Sequence, residues 1–312
     1  MILTVTMNPS IDISYPIECL KLDDINRVSE VSKTAGGKGL NVTRVIHELG
    51  GSVNATGVVG GHLGNQIKEQ LDSAGITHDF YSISQETRNS IALLHDNGKQ
   101  TEILESGPNV TRSEMEGFIA TFQRLLEHAE LITISGSLAK GLPDDFYAQL
   151  ILSAKEKGVD TLLDTSGKAL KEALRGEQKP KLIKPNLTEI NDLLKTDLDS
   201  EQPEKLKQAL THPLFQGVEW IVVTLGEEGA VVKHNELFYY ATLPKIDVVN
   251  PVGSGDATIA GLAYAVSHFE TDENTIKTGM TTGMLNALES VTGHINRDNF
   301  QKLYNQIQVK AF

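Results

Sequence analysis

Short apolar segments alternate with helical patterns along this chain, and that alternation restricts the fold more than any other feature. Four segments have the composition of buried strands: LITIS (131–135), TLLDT (161–165), KLIKPN (181–186) and WIVVTLG (220–226). The clearest helical face lies within 112–130 and consists of Met115, Phe118, Ile119, Phe122, Leu125 and Leu126. Strands that alternate with helices predict an α/β fold with a mostly parallel sheet. Ligands of such folds bind at the carboxyl ends of the strands.

One region departs from this alternation. The segment RNSIALLHDNGKQTEILE (88–105) contains two strand-like runs around Asn97-Gly98, a dipeptide that favours a hairpin turn. Together with HDFYSIS (78–84), it predicts a small antiparallel sheet inserted into the α/β domain. A small sheet cannot bury both of its faces by itself. We therefore expect it to cover an active site, a second copy of the chain, or both.

The charge balance restricts the partners of this chain. Its 312 residues include 28 Lys and Arg against 41 Asp and Glu, a net charge of −13. Such a chain repels polyanions at long range, which argues against nucleic acid as a partner. If the chain binds phosphorylated small molecules, local groups must hold them. The candidates are helix N-termini and a few Lys or Arg side chains.

The remaining composition predicts a cytoplasmic protein. Cys19 is the only cysteine, which rules out an internal disulfide and suggests a reducing compartment. The start MILTVTMNPSID has no basic region and no long apolar core, so we expect no signal peptide. No apolar run approaches the length of a membrane span, and we expect no membrane partner.

The segment NPVGSGDATIAGLAYAV (250–266) follows a strand-like KIDVV (245–249) and predicts a strand-to-helix turn. The predicted helix has one apolar face, made of Ile259, Leu262, Ala263 and Val266. The small residues Gly253, Ser254 and Gly255 would let backbone amides approach a ligand, and the helix N-terminus adds its positive dipole end. These features predict an anion hole.

Asp256 stands in the first turn of that helix, where a carboxylate beside an anion hole is electrostatically unusual. It could accept a proton from a hydroxyl that attacks a phosphoryl group. An ordinary glycine-rich turn, with Asp256 as a favourable first-turn acid, explains the same residues. The motif by itself leaves both interpretations open.

A second glycine-rich helix start occurs in TAGGKGLNVTRVIHELGG (34–51). Gly36, Gly37 and Gly39 surround Lys38, and Gly50 and Gly51 can end the helix as a C-cap. The apolar face of this predicted helix consists of Val42, Val45, Ile46 and Leu49. The segment lacks the Lys-Ser/Thr ending of a Walker A loop, and a flexible turn is the alternative. Two such helix starts in one α/β chain are more informative than either alone.

The segment KPNLTEI (184–190) follows a predicted strand. Asn186 and Glu189 are three residues apart, which places them on one helical face. An amide and a carboxylate there could hold Mg²⁺ through water, because Mg²⁺ keeps much of its hydration shell. An N-cap Asn with a Glu at the third helical position, a capping box, is an equally good explanation.

Together these motifs resemble the PfkB/ribokinase family of carbohydrate kinases. The resemblance spans nearly the whole chain through NPSID, GGKGLNVTR, ETRNSI, SGSL, KPNLTE, VTLGEEGA and NPVGSGDATIAG. It implies an α/β, ribokinase-like three-layer sandwich with a mostly parallel central sheet and a small antiparallel β lid. We expect a single kinase domain over 1–312, with the lid formed by about 12–33 and 78–107.

Within this family, the chain resembles the branch that phosphorylates sugar phosphates. Lys38 in GGKG, Arg88 in ETR and Arg27 supply cations that a kinase of uncharged sugars does not need. Residues 1–45 look particularly close to the tagatose-6-phosphate kinases of lactose and galactose catabolism. The implied reaction converts ATP and D-tagatose 6-phosphate into ADP and D-tagatose 1,6-bisphosphate. A 1-phosphofructokinase and a catalytically silent sugar-phosphate sensor remain alternatives, and the lid suggests a homodimer.

The resemblance also implies a role for each motif residue. Asp256 corresponds to the catalytic base, and the amides of Gly253, Ser254 and Gly255 to the anion hole. The residues expected to bind the sugar phosphate are Asp12, Gly37, Lys38, Asn41, Arg88, Arg27 and Ser137. Those expected to bind ATP are Lys184, Asn186, Glu189, Thr224, Gly226, Gly229 and Asn286, with Mg²⁺ held through water by Asn186 and Glu189.

Overall fold

A ten-stranded sheet forms the centre of the protein in the computed structural model, which describes residues 1–96 and 99–312. Numbered in chain order, the strands are β1 (Ile2–Thr6), β2 (Ser10–Ile17), β3 (Ser32–Gly36), β4 (Val53–Gly60), β5 (Thr77–Ile83), β6 (Arg88–His95), β7 (Lys99–Leu104), β8 (Leu131–Ser135), β9 (Asp160–Asp164), β10 (Leu182–Ile183), β11 (Trp220–Thr224), β12 (Ala230–His234), β13 (Leu237–Thr242) and β14 (Gln308–Ala311). The ten strands are ordered β14-β13-β12-β11-β10-β9-β8-β1-β4-β5.

The sheet is parallel from β11 across to β5, and β12, β13 and β14 extend it as antiparallel strands. The four strands predicted from apolar runs are confirmed as β8, β9, β10 and β11. Because these strands are buried on both faces, their sequences are continuously apolar. Their parallel direction brings the carboxyl ends of β1, β8, β9, β10 and β11 to one edge.

The helices cover both faces of this sheet. In chain order they are α1 (Lys38–Glu48), α2 (Gly61–Ser73), α3 (Arg112–Leu126), α4 (Phe146–Glu156), α5 (Gly167–Arg175), α6 (Leu187–Leu194), α7 (Pro203–Ala209), α8 (Ser254–Ser267), α9 (Asp272–Ala287) and α10 (Phe300–Tyr304). One apolar core joins the sheet to α1, α2, α8, α9 and α10. A second core joins its opposite face to α3, α4, α5, α6 and α7. The predicted three-layer sandwich is therefore confirmed.

The predicted helix at 112–130 is confirmed as α3, which ends four residues earlier. Its first turn is a capping box between Thr111 and Glu114. No helix in the described parts of the chain is both long enough and apolar enough to span a bilayer.

A four-stranded second sheet, which we call the lid, has the order β3-β2-β6-β7. The outer pairs β2–β3 and β6–β7 are antiparallel, whereas β2 and β6 pair in parallel at the centre. The predicted small sheet and its β6–β7 hairpin are thus confirmed, although the Asn97-Gly98 turn lies outside the described residues. One face of the lid bounds a large cleft through residues including Asp12, Ser14, Ser90 and Glu102.

The assignment of HDFYSIS to the lid was wrong. Most of this segment forms β5, the edge strand of the large sheet, parallel to β4. The helix α2 connects β4 to β5, so the two strands form a β-α-β crossover. Phe80 and Ile83 are buried against the large-sheet cores. Alternating burial in the sequence cannot distinguish such an edge strand from a lid strand.

The strand predicted at KIDVV was also wrong, because residues 245–249 form no strand. Val248 and Val249 are 54% and 62% exposed, so their apolar side chains do not belong to the core. The amides of Val249 and Asn250 instead donate to the carbonyl of Ala287 at 2.8 and 3.1 Å. This segment is a connection held against the end of α9.

Candidate active site

The cleft lies over the carboxyl ends of the central parallel strands and under the lid, with a volume of about 970 Å³. The ends of β9, β10 and β11 contribute Asp164, Lys184 and Thr224. The N-terminal ends of α1 and α8 point into the same space through Lys38 and Asp256. The fold therefore brings together the two glycine-rich helix starts that are more than two hundred residues apart in the sequence.

Asp256 lies in the first turn of α8 and is only 6% exposed. The helix begins after Gly253, whose left-handed φ of 83° would strain any other residue. Asn41 Nδ2 on α1 donates a hydrogen bond of 2.7 Å to Asp256 Oδ2. Burial, helped by the nearby negative charge of Asp164, raises the pKa of Asp256 to about 6, although Lys38, the Asn41 bond and Lys184 oppose the shift. A carboxylate with this pKa is suited to accept a proton near neutral pH.

The backbone amides before Asp256 differ in their availability. The Ser254 amide donates to the carbonyl of Pro251 at 3.2 Å, so it is already used within the protein. The amides of Gly253, Gly255 and Asp256 donate to none of the described residues. Within the predicted anion hole at Gly253, Ser254 and Gly255, the amide of Ser254 is therefore already occupied, whereas those of Gly253, Gly255 and the adjoining Asp256 are available to a ligand.

Two lysines flank a buried carboxylate beside this amide cluster. Lys184 Nζ lies 3.4 Å from Asp164 Oδ2, and Lys38 Nζ lies 3.8 Å from Asp164 Oδ1. Asp164 is 1% exposed, and neither of its oxygens has a hydrogen-bond partner among the described residues. The Asp164 charge raises the pKa of Lys38, which keeps that lysine cationic. A Cβ on Gly255 would lie 3.2 Å from Lys184 Nζ, so this cation lies next to the amides.

The sequence analysis missed Asp164. Its signal was present, because it ends the predicted TLLDT strand and ligands bind at the carboxyl ends of parallel strands. What the sequence does not reveal is that Lys38 and Lys184 lie on either side of it.

Asn186 and Glu189 form a capping box at the start of α6. Glu189 Oε2 accepts from the Asn186 amide at 2.9 Å, and Asn186 Oδ1 accepts from the Glu189 amide at 2.8 Å. The interpretation of this motif as a capping box is thus confirmed. Both residues also line the cleft, so their capping role does not exclude contact with a ligand bound there.

The residues here fit a Mg²⁺ ion that is shared with nucleotide phosphates. The described residues contain no group of three or more His, Cys, Asp or Glu side chains arranged to cage a metal. Asp164 has two buried oxygens without partners, and Asp164, Asn186 and Glu189 line one cleft. Mg²⁺ is commonly coordinated by one or two carboxylates, waters and substrate phosphates, and these residues match that coordination preference.

Asp12 lies on the inner face of the lid strand β2. Its carboxylate accepts a 2.6 Å hydrogen bond from Ser10 Oγ. A Cβ on Gly36 would lie 2.0 Å from Asp12 Cγ, so the carboxylate occupies space that only glycine leaves open. Burial raises the pKa of Asp12, and the charges of Arg44 and Arg88 oppose that shift. The carboxylate faces the cleft as a candidate acceptor for sugar hydroxyls.

A smaller cavity of about 180 Å³, which we call the side pocket, adjoins the cleft and shares Gly37, Lys38 and Arg88 with it. Asn8 and Ser137 also line it, and Asn8 Nδ2 donates to Ser137 Oγ at 3.1 Å. Arg88 donates to the carbonyls of Glu105 and Asn8 at 3.0 and 3.3 Å. Its buried Nε has no partner among the described residues. Two cations and several small polar groups make this pocket suitable for a phosphate group.

Buried groups support the wall of the side pocket from behind. The Gly136 carbonyl accepts from the hydroxyl of Tyr147 at 3.1 Å and from Thr165 Oγ1 at 2.9 Å. Burial raises the pKa of the Tyr147 phenol, which keeps it a neutral donor. The sequence analysis missed Asn8, Tyr147 and Thr165, because their roles depend on contacts distant in the sequence.

Three predicted site residues lie away from the cleft wall in the described structure. Arg27 is exposed in the connection between β2 and β3. Asn286 is 1% exposed and bonds the carbonyl of Val252 and the amide of Gly293 at 2.9 and 2.8 Å. Gly229 packs closely against the backbone of Ala241, since a Cβ at Gly229 would lie 1.9 Å from the Ala241 carbonyl oxygen.

The other predicted nucleotide residues, Thr224 and Gly226, do line the cleft. At the same end lie Val252 and Val291, which are 38% and 43% exposed. Apolar side chains beside a polar cleft can pack on the flat face of a nucleobase. These valines were not identified from the sequence.

A buried carboxylate, a helix start with unpartnered amides and two lysines over the carboxyl edge of a parallel sheet are the arrangement expected of a phosphotransferase that acts on small molecules. Residues 5–299 match the pfkB family of carbohydrate kinases, so the chain belongs to that family. It is therefore an ATP-dependent sugar kinase.

Solved structures agree with this assignment. A putative phosphofructokinase from Staphylococcus aureus is 29% identical with a TM-score of 0.85, over 100% of this chain and 99% of that one. Phosphofructokinase-2 from Escherichia coli, in complex with potassium, is 26% identical with a TM-score of 0.90, over 97% and 98%. A possible 1-phosphofructokinase from Thermotoga maritima is 27% identical with a TM-score of 0.89, over 100% and 99%. This chain is thus similar to phosphofructokinases along its whole length.

Proposed function

We propose that this kinase transfers the γ-phosphate of ATP to the C1 hydroxyl of D-tagatose 6-phosphate, giving ADP and D-tagatose 1,6-bisphosphate. The observation that supports a phosphorylated substrate is the side pocket next to the cleft, which is lined by Lys38, Arg88 and Ser137. An uncharged sugar would leave these groups without a partner. The choice of tagatose rests on the resemblance of residues 1–45 to tagatose-6-phosphate kinases.

In the proposed reaction, Asp256 Oδ1 accepts the proton of the C1 hydroxyl while the hydroxyl oxygen attacks the γ-phosphorus. The new P–O bond forms as the bond to the β–γ bridging oxygen breaks, and ADP leaves with that electron pair. The amides of Gly253, Gly255 and Asp256 donate to the transferring group, and Lys38 and Lys184 balance its charge. Asp12 orients the sugar hydroxyls from the lid. Such positioning and charge stabilisation are the main requirements of phosphoryl transfer.

ATP binds at the end of the cleft lined by Thr224, Gly226, Val252 and Val291. Its phosphates extend toward Lys184 and the start of α8. Asp164, Glu189 and Asn186 would hold a Mg²⁺ ion that accompanies the nucleotide, directly or through water, and the ion would neutralise part of the phosphate charge. We assign Asn286 a bracing role behind Val252 in place of a direct contact with adenine.

A 1-phosphofructokinase is the second candidate, and the description of the Thermotoga maritima structure favours it. Both substrates are ketohexose monophosphates that fit the same arrangement of one phosphate pocket and one base. A sensor without turnover is disfavoured, because a protein that only binds sugar phosphate has no need of the buried Asp256 beside its donors.

A substrate panel tests this proposal. We expect kcat/KM to be highest for tagatose 6-phosphate when it is compared with fructose 6-phosphate and fructose 1-phosphate. Asp256→Asn, purified in the same way, controls for a contaminating kinase. Preference for fructose 1-phosphate would support the second candidate, and saturable binding without ADP release would contradict kinase function.

We also propose that two copies associate through their lids in the cytoplasm. The lid strand β7 and the loop that connects β2 to β3 expose large apolar side chains that do not line the cleft, namely Leu22, Ile25, Ile103 and Leu104. A second copy of the chain would bury them, since a small sheet cannot cover both of its own faces. The exposed thiol of Cys19 in the same region agrees with a reducing compartment.

A further inference from the structure

The helix α1 presents one polar stripe that the proposed reaction does not explain. Asn41, Arg44 and Glu48 follow one another at spacings of three and four residues, so they lie on one face. Asn41 reaches Asp256, whereas Glu48 accepts from the Ile295 amide at 2.8 Å and contacts His294. Arg44 lies between them, so this stripe links the base to the segment around residue 293.

Arg44 makes four contacts through its guanidinium group. It donates to the carbonyls of Thr292 and Gly293 at 3.2 and 3.3 Å, and to the carbonyl of Ala35. Its fourth contact is from Nη2 to Oδ1 of Asn41. The residue is partly buried, and burial lowers the pKa of its guanidinium, while the charges of Asp12, Glu48 and Asp256 oppose that shift.

These contacts determine how the Asn41 amide is oriented. A guanidinium has only donors, so the Asn41 atom facing Arg44 must be the carbonyl oxygen. The amide nitrogen then faces Asp256, where it donates to Oδ2. A reversed amide would point its oxygen at the carboxylate and its nitrogen at a cation. None of the described residues bonds Asp256 Oδ1, which leaves that oxygen for the substrate.

We propose that Arg44 is a positioning residue for the base: it holds the Asn41 amide on Asp256 Oδ2 and ties it to the Thr292–Gly293 segment beside the cleft. This inference rests on the proposed role of Asp256. Thr292 lines the cleft at the end where Val291 and Val252 lie, so the same guanidinium connects the sugar-side base to the nucleotide side.

The test compares Arg44→Lys with the wild-type enzyme by its kcat as a function of pH. Lysine keeps the positive charge but cannot bond Asn41 and three carbonyls at once. We expect kcat to fall by roughly 10-fold to 100-fold from loss of alignment. We also expect the acid limb of the profile, the fall of kcat at low pH, to move to higher pH. The hydrogen bond from Asn41 lowers the pKa of Asp256, and the variant would weaken that bond. Arg112→Lys, on a side chain that is 88% exposed, is the matched control.

The double variant separates positioning from a general structural role. If Arg44 acts through Asn41, the acid limb of the Arg44→Lys/Asn41→Ala double variant should lie at the same pH as that of Asn41→Ala alone. The other charged groups around Asp256, namely Lys38, Asp164 and Lys184, are unchanged in both variants. An acid limb at its wild-type position in folded Arg44→Lys, or additive shifts in the double variant, would overturn the proposal.

A second variant applies if Arg44→Lys does not fold. In Asn41→Asp, Arg44 would keep the new carboxylate ionised beside Asp256 and move the acid limb to higher pH. An unchanged limb would mean that Arg44 does not engage position 41, which overturns the proposal. Lack of turnover by the wild-type protein, or near wild-type turnover by Asp256→Asn, would contradict the proposed function instead.

Discussion

At the scale of single residues, the site depends on groups whose properties differ from those of their free side chains. Asp256 is a buried carboxylate that accepts a hydrogen bond from Asn41. Burial raises its pKa, and the charges of Lys38 and Lys184 oppose that shift. Asp164 is a buried carboxylate whose charge is balanced by two lysines. Burying a carboxylate is costly, and carboxylates with perturbed pKa values or charged partners inside a cleft are typical of functional sites. Asp256 and Asp164 are therefore candidates for function.

Asp256→Asn should lower kcat by about 10²-fold to 10⁴-fold, the usual contribution of a general base. Asparagine keeps the size of the side chain but cannot accept the proton. Affinity for both substrates should change only a few-fold, because the amide can still bond Asn41. Rapid-mix kinetics with direct titration of both ligands measures the two effects separately. Turnover close to the wild-type rate would return Asp256 to a helix-start role.

The same substitution should stabilise the fold at pH 8. The folded-state pKa of about 6 lies above the ordinary value of 3.8, so the ionised carboxylate destabilises the folded protein above pH 6. That penalty disappears as the pH falls below both values, and its upper size is about 3 kcal/mol. Thermal melts of both proteins at pH 8 and pH 4 check this. A variant that is less stable than wild type at pH 8 would contradict the buried-charge argument.

Arg88→Ala should raise KM for the sugar phosphate by about tenfold or more, since a charge-assisted hydrogen bond contributes roughly 1.5–3 kcal/mol. KM for ATP should stay nearly constant, because Arg88 lines the side pocket at the lid. Arg27→Ala is the matched comparison, as Arg27 is exposed outside the cleft. Steady-state kinetics with each substrate varied separately measures both. Equal weakening of ATP would refute the assignment of Arg88.

At the scale of elements, helix starts and strand ends were easier to predict than sheet membership. Both glycine-rich helix starts are confirmed in α1 and α8, and Gly50 follows the end of α1 with a φ of 85°. The strand β5 was assigned to the wrong sheet, and residues 245–249 form no strand. Local patterns reveal periodicity, whereas sheet membership depends on partners far away in the sequence.

The lid should close over the sugar phosphate. Backbone amides of β6 and β7 should exchange hydrogen more slowly when sugar phosphate is added, because the inner lid face borders the cleft. The edge strand β5 is the internal control, since it belongs to the large sheet and should not respond. Hydrogen exchange with and without saturating ligand measures this. Unchanged protection in β6 and β7 would leave the lid with an assembly role only.

At the scale of the whole molecule, two apolar cores hold helices to both faces of one sheet, and the lid with its connecting loop leaves several large apolar side chains exposed. Ile103 and Leu104 on β7 are 52% and 58% exposed, and Leu22 in the adjoining connection is 83% exposed. The sandwich supplies rigid strand ends, while the lid presents exposed apolar side chains that the proposed dimer would bury.

Ile103→Asp should weaken the proposed lid-to-lid dimer and shift the protein toward a monomer. A charge at a desolvated contact costs binding energy that a surface position does not require. Phe269→Asp, at a side chain that is 95% exposed outside the lid, is the matched control and should leave assembly unchanged. Sedimentation velocity across a dilution series measures the equilibrium. A wild-type monomer at all concentrations would exclude the dimer.

The sequence by itself determined the α/β class, the buried strands and the two helix starts with Lys38 and Asp256, because each follows from local periodicity and from glycine. Only the tertiary structure decided that Asn41 bonds the carboxylate of Asp256, 215 residues away, and that Asp164 lies between two lysines. It likewise moved Asn286 behind the cleft wall and β5 into the large sheet. Burial, charge pairing and sheet partners are long-range properties, and the pKa of Asp256 depends on all the charges that folding brings around it.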